Sequence, residues 1–253
     1  MKMYTITSHV ADQVAALEAA SVRRRRMLRP LQIALLVLSV AAVVYFVRAD
    51  QASLAAASGG GGLIALLLAG VIANAGPSER ETRVKRAGAA GEAVLPRLLH
   101  DLPDSYTLIN GVPMPGSHAD IDHVLVGPSG VWALEAKHHV GMVQCVGDAW
   151  GYTRRGPGGV PQSGHIGNPS QQARRSAEAL TRYLQRRGIP QTVDPIVVFT
   201  HPQVELTLEQ PTLIVLRAAE VHAFISRQRA QLSSAECAAI VTTLRKLRPL
   251  AER

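Results

Sequence analysis

A β-hairpin is predicted over residues 120–137, which read DIDHVLVGPSGVWALEAK. Two runs rich in β-branched and aliphatic residues flank a central Gly-Pro-Ser-Gly turn, so the runs can pair antiparallel. Because side chains alternate between the two faces of a strand, Asp120 and Asp122 share one face of the first strand. Glu135 and Lys137 likewise share one face of the second strand. Pairing of the strands can bring these two polar faces to neighbouring positions of one sheet.

Three carboxylates and one ammonium would then lie in a small volume beside apolar residues. Carboxylates gathered in such a place repel one another and lose solvation, and both costs fall when a cation lies between them. Mg²⁺ prefers oxygen ligands and is commonly held by a few carboxylates and a substrate phosphate. The hairpin therefore predicts metal-dependent phosphodiester chemistry. The alternatives are a surface ion-pair network of Asp122, Glu135 and Lys137, and a strand-capping role for Asp120.

Composition and charge limit the classes of protein that fit. The chain has 253 residues, which is enough for one sizeable core and an appendage. Its formal net charge of +8 favours a polyanionic partner such as nucleic acid or anionic lipid. The two cysteines, Cys145 and Cys237, are far apart, and no Cys/His spacing typical of zinc ligation is present. A structural zinc site is therefore not indicated, and both cysteines are expected in the core.

The N-terminal third of the chain carries two long uncharged segments. Residues 1–30 form a basic, partly helical lead that ends in a cluster of five arginines. Residues 31–47 contain no charge, and a second apolar segment follows at residues 54–75. We therefore predict a two-helix transmembrane hairpin over residues 31–78. The alternatives are a cleaved signal peptide and two buried helices of a soluble domain.

The charges that flank these segments predict an orientation in the membrane. Five arginines precede the first segment, and Arg80, Arg83, Lys85 and Arg86 follow the second. Segments rich in Lys and Arg stay on the cytoplasmic side of a bilayer. We therefore expect a multi-pass protein of the cell membrane whose two termini and soluble domain are cytoplasmic.

From about residue 87 the composition is that of a soluble α/β domain. Apolar periodicity and Gly/Pro punctuation predict its elements around the hairpin. Strands are predicted at residues 106–109, 141–146, 150–153, 195–200 and 213–216, helices at residues 88–99, 168–187, 219–228 and 234–247, and a loop at residues 154–167. Asn168 is the expected N-cap of the long helix, with Pro169 in its first turn.

Six short motifs occur in order between residues 88 and 200. They are Gly91-Glu92, Leu102-Pro103-Asp104, Asp120-Ile121-Asp122-His123, Gly127-Pro128-Ser129-Gly130-Val131, Glu135-Ala136-Lys137, and Asn168-Pro169 followed by Gln172. This ordered set resembles the nuclease-related domain, NERD, a family assigned to the PD-(D/E)XK nuclease-like superfamily. The resemblance implies a restriction-endonuclease-like α/β fold with a mixed sheet flanked by helices. That domain would span residues 87–204, and residues 205–253 would complete it with a strand and helices.

The resemblance also implies roles for individual residues of the hairpin. Asp122 and Glu135 match the acidic residues that hold the metal, Asp120 is available on the same face, and Lys137 matches the lysine of the Glu-x-Lys motif. Mg²⁺ or Mn²⁺ held there would polarise the scissile phosphate and lower the pKa of a bound water. Lys137 would position or activate that water and stabilise charge in the transition state.

Two residues on helices complete the implied site. Glu92 resembles the acidic residue of the preceding helix and would bind the metal directly or through water. An acid at the start of a helix is also favoured by the helix dipole alone. Gln172 resembles the polar residue of the following helix and would orient a phosphate or support the lysine, and its alternative is simple exposure on the helix. Arg174 and Arg175 lie nearby on the same helix.

Together these features predict a membrane-anchored, nuclease-like protein that hydrolyses phosphodiester bonds of nucleic acid. DNA is the expected nucleic-acid partner, and the lipid bilayer is the second expected partner. The alternative is a non-catalytic nucleic-acid-binding or interaction module on the same fold, tethered to the membrane. Binding of a divalent cation at the hairpin separates the two hypotheses.

Overall fold

The structure, a computed structural model, describes residues 1–7, 9–51 and 93–249 and isolated positions between residues 54 and 91. Those positions are 54, 58, 61, 62, 64, 70, 88, 90 and 91. The chain divides into two compact units. One contains Met1–Val10 and Ala87–Arg253, and the other contains Ala11–Arg86. The first unit holds the predicted hairpin, and the second holds the apolar N-terminal segments.

One long helix, α1, spans His9–Arg48. Its portion from Val22 to Arg48 has 27 residues, and the most apolar 18-residue stretch within it has a mean hydropathy of 2.3 and is not buried. A helix of this length and composition can cross a bilayer, although a signal sequence near the N-terminus meets the same criteria. The predicted span 31–47 lies inside α1. The helix runs through Pro30 instead of starting after it.

The predicted second span, residues 54–75, falls mostly outside the described residues. Its described positions are helical. A Cβ atom on Gly62 would collide with the side chain of Ser39 on α1, so this glycine lets two helical segments approach closely. The two-helix transmembrane hairpin stays a prediction, supported at one position by this close approach.

The first unit alternates short strands with helices. Its strands are β1 (Lys2–Thr5), β2 (Thr107–Pro113), β3 (Asp120–Gly127), β4 (Gly130–Lys137), β5 (Gly141–Val146), β6 (Ala149–Arg155), β7 (Pro161–Gly164), β8 (Asp194–Phe199), β9 (Val204–Glu209) and β10 (Ile214–Arg217). Its helices are α2 (Val94–Leu98), α3 (Pro169–Gln185), α4 (Ala218–Ser226) and α5 (Ser234–Leu244), with a short 3-10 turn at Pro157–Gly159.

Six strands form a central mixed sheet in the order β1-β2-β3-β4-β8-β10. Strands β2, β3 and β4 pair antiparallel, whereas β1 is parallel to β2, β8 to β4 and β10 to β8. The hairpin of β3 and β4 closes at the pair Gly127 and Gly130, as the sequence predicts. The buried residues of β8 agree with its continuous apolar sequence. The predicted α/β fold class with a mixed central sheet is confirmed.

A second mixed sheet has the order β7-β6-β5-β9 and contains two strands that the sequence analysis missed. Strand β9 alternates Val, Leu and Leu with Glu, Thr and Glu, so its period of two was visible in the sequence. Strand β7 lies in the stretch predicted as a loop. Its sequence, Pro-Gln-Ser-Gly, has no apolar residue, and only its pairing with β6 makes it a strand.

Helices cover both faces of the central sheet. On one face, Val124 and Ala133 share a buried cluster with Leu180 of α3. On the other face, Leu134 shares a second cluster with Ile225 of α4. The central sheet is therefore the middle of three layers, and the face toward α3 is the one that leads to the predicted site.

The first residues of the chain form a strand where the sequence predicts a partly helical lead. Lys2–Thr5 make up β1, which pairs in parallel with β2. Backbone hydrogen bonds continue past the strand, from Ile6 N to Asn110 O and from Thr7 N to Gly111 O, each 3.0 Å long. A run of four residues is too short to show a period of its own, and the pairing partner lies about a hundred residues away. The strand therefore depends on tertiary pairing.

Candidate active site

The polar residues of the hairpin lie on the face of the central sheet that packs against α3. The paired positions of β3 and β4 end at His123 and Leu134, so Asp122 and Glu135 come next on the two strands. By strand alternation both lie on the same face as the buried Val124. Hydrophobic packing against α3 thus ends where the charged residues begin.

A cavity of about 430 Å³ opens at this end of the sheet. It is lined by Asp120, Asp122 and Glu135 from the strands, by Gln172 from α3, and by the loop between β2 and β3. Four of the six residues that the sequence singles out are therefore brought together. Lys137 is not part of the lining, but it is bound to one of these residues.

Asp122 is fixed in place by the backbone of the neighbouring strand. Its Oδ2 accepts a hydrogen bond at 2.8 Å from the N–H of Ala136, which lies two positions past Leu134, the last residue of β4 paired with β3. A hydrogen bond to a carboxylate is about twice as strong as one between neutral groups. The Asp122 side chain therefore hydrogen-bonds to the backbone of β4 where the backbone pairing with β3 has ended, and this bond holds its carboxylate at the cavity wall.

Glu135 and Lys137 form a close ion pair at the end of β4. Lys137 Nζ donates to Glu135 Oε1 at 2.6 Å, and the two side chains are 25% and 13% exposed, respectively. Partial burial strengthens the attraction and makes the loss of either partner costly, because an uncompensated charge would be left behind. The lysine ammonium is thus held beside an acid that lines the cavity.

Asp120 is held by a residue from the N-terminal segment. Thr7 Oγ1 lies 2.6 Å from Asp120 Oδ2 and 2.9 Å from the Gly111 carbonyl oxygen. The carboxylate is the closer and the stronger acceptor of the two. Thr7 was not a candidate in the sequence, because nothing in residues 1–10 indicates contact with a strand more than a hundred positions away.

Gln172 lies one turn inside the helix that the sequence places here. Asn168 caps α3 as predicted, accepting from Gln171 N–H at 2.9 Å, and Pro169 occupies the first turn. Gln172 Oε1 is buried and has no hydrogen-bond partner among the described residues. A buried acceptor left without a donor costs about 1–3 kcal/mol. Simple exposure on the helix is therefore ruled out for this oxygen, while Gln172 as a residue belongs to the cavity lining.

Two arginines of α3 join the lining, and both were missed as site residues. Arg175 and Arg182 lie seven positions apart, which is about two helical turns or roughly 10 Å along the axis. Arg182 also makes an exposed ion pair with Glu178 at 3.4 Å. Their spacing on one side of a helix that starts at Asn168 was the available signal. They bring positive charge to the same cavity as the carboxylates.

Arg174, next to them in sequence, points into a different environment. It forms an ion pair with Asp148 at 2.6 Å, and Thr212 Oγ1 lies close to both. The hydrogen bonds from Arg174 and Thr212 lower the pKa of Asp148 to about 2. Adjacent positions on a helix face different directions, so Arg174 fastens α3 to the second sheet while Arg175 serves the cavity.

Glu92 lies outside the described residues, so its implied metal role stays a prediction. Its neighbour Gly91 is described and helical. A Cβ atom on Gly91 would lie 2.5 Å from the His138 Cβ and 2.9 Å from Thr200 Oγ1. The chain at Gly91 therefore passes close to the residue that follows Lys137.

Two histidines follow Lys137 directly, and burial disfavours the charged form of each. The rings of His138 and His201 have centroids 4.9 Å apart, and His138 Nδ1 lies 3.1 Å from Thr200 Oγ1. Burial, and secondarily the nearby His201, lowers the pKa of His138, and burial lowers the pKa of His139. The positive charge around the cavity therefore comes from lysine and arginine.

The donors in the cavity suit a hard divalent cation. Within the described part of the chain, no three His, Cys, Asp or Glu side chains converge closely enough to form a complete metal site. The cavity nevertheless offers the carboxylates of Asp120, Asp122 and Glu135, and Gln172 lies beside them in the lining. Mg²⁺ is commonly bound through one or two carboxylates, with waters and substrate phosphates completing its shell. The oxygen donor set fits a cation held in that way.

Comparison with known protein families identifies the domain that contains the hairpin. Residues 87–200 match the family model described as NERD, the nuclease-related domain. No curated protein and no solved structure matches the chain. The matched segment contains the hairpin, strands β5 to β8 and helix α3, and hence every residue that the sequence analysis assigned to the site. Strand β1, helix α1 and the C-terminal helices lie outside it.

Proposed function

Because residues 87–200 belong to the nuclease-related domain family, we propose that this chain is a metal-dependent phosphodiesterase that acts on nucleic acid. The observation that carries the proposal is the cavity at the end of the hairpin, where Asp122, Glu135 and Gln172 meet two arginines. Oxygen donors for a cation and positive groups for phosphate lie side by side there. Phosphodiester hydrolysis requires both.

Asp122 and Glu135 would hold Mg²⁺ or Mn²⁺, with Asp120 and Glu92 as further candidate ligands. When bound, the cation supplies the charge that polarises a phosphate oxygen and lowers the pKa of a water. The Ala136 N–H keeps the Asp122 carboxylate oriented toward the cavity. Gln172 lines the same cavity, and a rotation of its side-chain amide would bring its buried oxygen within reach of a water there, which would satisfy that oxygen.

We propose that Lys137 stabilises the negative charge that develops on the phosphate during the reaction. Its ammonium lies 2.6 Å from Glu135, which lines the cavity, so it would lie near a phosphate bound there although Lys137 is not itself part of the lining. From that position it can donate a hydrogen bond to the attacking water or to a non-bridging phosphate oxygen. Donors aimed at the place where charge develops typically contribute a factor of about 10²–10³ in rate.

Arg175 and Arg182 are proposed to bind phosphates of the nucleic acid. A guanidinium can donate two parallel hydrogen bonds to a phosphate, which fixes the backbone of the substrate as well as attracting it. The positions along α3 allow contacts to phosphates on either side of the reacting one. A formal net charge of +8 adds a long-range attraction for nucleic acid, DNA included.

Attachment to a membrane is the second part of the proposal. Helix α1 is long and apolar enough to span a bilayer from Val22 to Arg48. Arginines at its N-terminal side favour the cytoplasm for the start of the chain. With a second span at residues 54–75, the protein would be multi-pass, and the cavity would face the cytoplasm. The site would then meet nucleic acid at the inner surface of the cell membrane.

A non-catalytic nucleic-acid-binding or interaction module is the second candidate function. It is favoured by one observation: no three acidic or histidine side chains converge on a common point within the described residues. The direct ion pair between Glu135 and Lys137 could persist in such a module as a structural contact. The arginines would still bind phosphate, in a manner that depends on salt and not on metal.

The two candidates are separated with the full chain in detergent micelles. Native protein, Asp122→Ala, Lys137→Ala and the exposed control Lys246→Ala are incubated with DNA or RNA and Mg²⁺, and Mn²⁺ binding is measured by calorimetry. We expect Mg²⁺-dependent cleavage that is lost in Asp122→Ala and Lys137→Ala and kept in Lys246→Ala. Of the two site variants, only Asp122→Ala should lose metal binding. Full cleavage by Lys137→Ala would reject the assigned mechanism, and metal-independent binding without cleavage would establish the module.

A further inference from the structure

The N-terminal segment that precedes the membrane-helix candidate reaches the cavity. After β1, the backbone stays paired with β2 through Ile6 and Thr7. Gly111 adopts a left-handed conformation with φ +58°, and a Cβ atom there would collide with the Thr7 carbonyl oxygen. Glycine is thus required at position 111 for two reasons: its backbone is left-handed, and the Thr7 carbonyl oxygen approaches too closely for a Cβ atom.

The close fit at Gly111 delivers the Thr7 hydroxyl to the edge of the cavity. Thr7 Oγ1 lies 2.6 Å from Asp120 Oδ2, and Asp120 belongs to the cavity lining. Both groups are partly buried, so the hydrogen bond is shielded from competition with water. A carboxylate whose rotation is fixed by a neighbouring donor loses less entropy when it binds a cation or a cation-bound water.

We propose that Thr7 is a positioning residue for Asp120, so that a strand outside the family match completes the site. The hydroxyl orients the carboxylate, and the carboxylate acts on the cation or on its water shell. This inference rests on the proposed metal-dependent function of the cavity. It gives β1 a role besides closing the sheet, and it concerns a residue two positions before helix α1 begins at His9.

The connection between Thr7 and helix α1 is very short. Only Ser8 separates Thr7 from the first residue of α1 along the chain. A helix anchored in a bilayer would therefore have its N-terminal end attached directly to a strand that contacts the site. A matched segment of residues 87–200 alone lacks β1 and Thr7, and it should bind metal more weakly than the full chain.

The test uses the full chain in detergent and measures Mn²⁺ affinity by calorimetry, which does not depend on turnover. Thr7→Val keeps the shape of the side chain and removes the hydroxyl. We expect this change to raise the Kd for Mn²⁺ by about tenfold, because loss of a hydrogen-bond partner of a metal ligand typically lowers metal affinity by roughly 10–100-fold. Thr7→Ser restores the hydroxyl and should restore affinity. Thr5→Val, on the same segment but exposed and away from the cavity, is the matched control and should bind like native protein.

A second comparison isolates the contact with Asp120. In an Asp120→Asn background, adding Thr7→Val should weaken Mn²⁺ binding no further, because the two groups act as one unit. An undiminished effect in that background would show that Thr7 acts through strand stability, and it would overturn the inference. Native affinity in Thr7→Val would also overturn it, while loss of binding in Asp122→Ala would leave the proposed function standing. A native chain that binds no Mn²⁺ would overturn both.

Discussion

Individual polar side chains at the cavity are held in partly buried positions that lower the stability of the fold. Gln172 Oε1 is buried without a partner, although an apolar side chain of the same size would fill the position at no such cost. The Glu135–Lys137 pair is partly buried as well. In the proposed function, a bound cation would offset these costs.

The cost at Gln172 can be measured by replacing it with methionine. In the absence of metal, Gln172→Met removes the unsatisfied oxygen and should raise the free energy of unfolding by about 1 kcal/mol. In the presence of Mn²⁺, the same variant should bind the metal several-fold more weakly. Urea unfolding and calorimetry give the two numbers. The control is Gln171→Met, at an exposed neighbouring position, which should change neither; a variant that loses stability without metal would contradict this account.

For single residues, the sequence predicts the positions that depend on strand alternation alone. Asp120, Asp122 and Glu135 share a cavity because a period of two and a tight turn place them together. Thr7 escaped prediction because its contact depends on the pairing of β1 with β2, which joins segments far apart in sequence. Arg175 could be separated from Arg174 only when the direction in which α3 packs was known.

At the level of secondary structure, helix α3 organises the site. Its apolar side, with Ala177, Leu180 and Leu184, packs on the central sheet. The same orientation turns Gln172, Arg175 and Arg182 toward the cavity. Packing of one helix face therefore determines which polar residues meet the hairpin. Substitutions at the lining positions should change ligand binding more than stability.

The arginines of α3 should be visible in the salt dependence of nucleic-acid binding. Each phosphate contact contributes about 0.7–0.9 to the slope of log affinity against log salt concentration. We expect Arg175→Ala and Arg182→Ala each to lower the magnitude of that slope by about this amount and to weaken binding to all sequences alike. Fluorescence anisotropy with labelled DNA over a range of salt concentrations measures it. Arg186→Ala, on the exposed end of the helix and away from the cavity, should leave the slope unchanged, and equal slopes in all four proteins would refute the phosphate contacts.

The ion pair between Asp148 and Arg174 fastens α3 to the second sheet and should make stability depend on acid. Because the folded-state pKa of Asp148 is lowered to about 2, its contribution is present above the ordinary aspartate value and is lost as pH falls toward 2. Asp148→Asn should therefore lower the midpoint of thermal unfolding at pH 7 and flatten the loss of stability between about pH 4 and pH 2. Glu178→Gln removes an exposed pair on the same helix and is the control, since such pairs contribute little. An unchanged acid profile in Asp148→Asn would contradict the role of the pair.

Elements with a clear period were predicted well, and elements that depend on neighbours were not. The hairpin, the N-cap and start of α3 and the buried strand β8 follow from alternation, capping residues and apolar runs. Strands β1 and β7 are four residues long and carry no apolar pattern, so their conformation comes from the edge strands that they join.

At the scale of the whole molecule, the chain joins the cavity lined by carboxylates and arginines to a helix long and apolar enough to cross a bilayer. The two features lie in separate compact units, and the residues of β1 precede the helix in sequence while the rest of the site follows it. The first unit is therefore interrupted along the chain by the second, and the apolar helix lies within that interruption.

Membrane anchoring is tested by placing charge in the middle of α1. Leu36 and Val40 lie one turn apart on this helix and are both exposed in the structure. An arginine at the centre of a membrane span costs about 2.5–3.5 kcal/mol, so the double variant Leu36→Arg/Val40→Arg should fail to insert stably. The protein should then move from the membrane pellet to the supernatant after alkaline carbonate extraction. Leu36→Ala/Val40→Ala keeps the segment apolar and should remain in the pellet. Recovery of the native chain in the supernatant would show that α1 does not anchor it, and the proposed encounter with nucleic acid at a membrane surface would fall with that result.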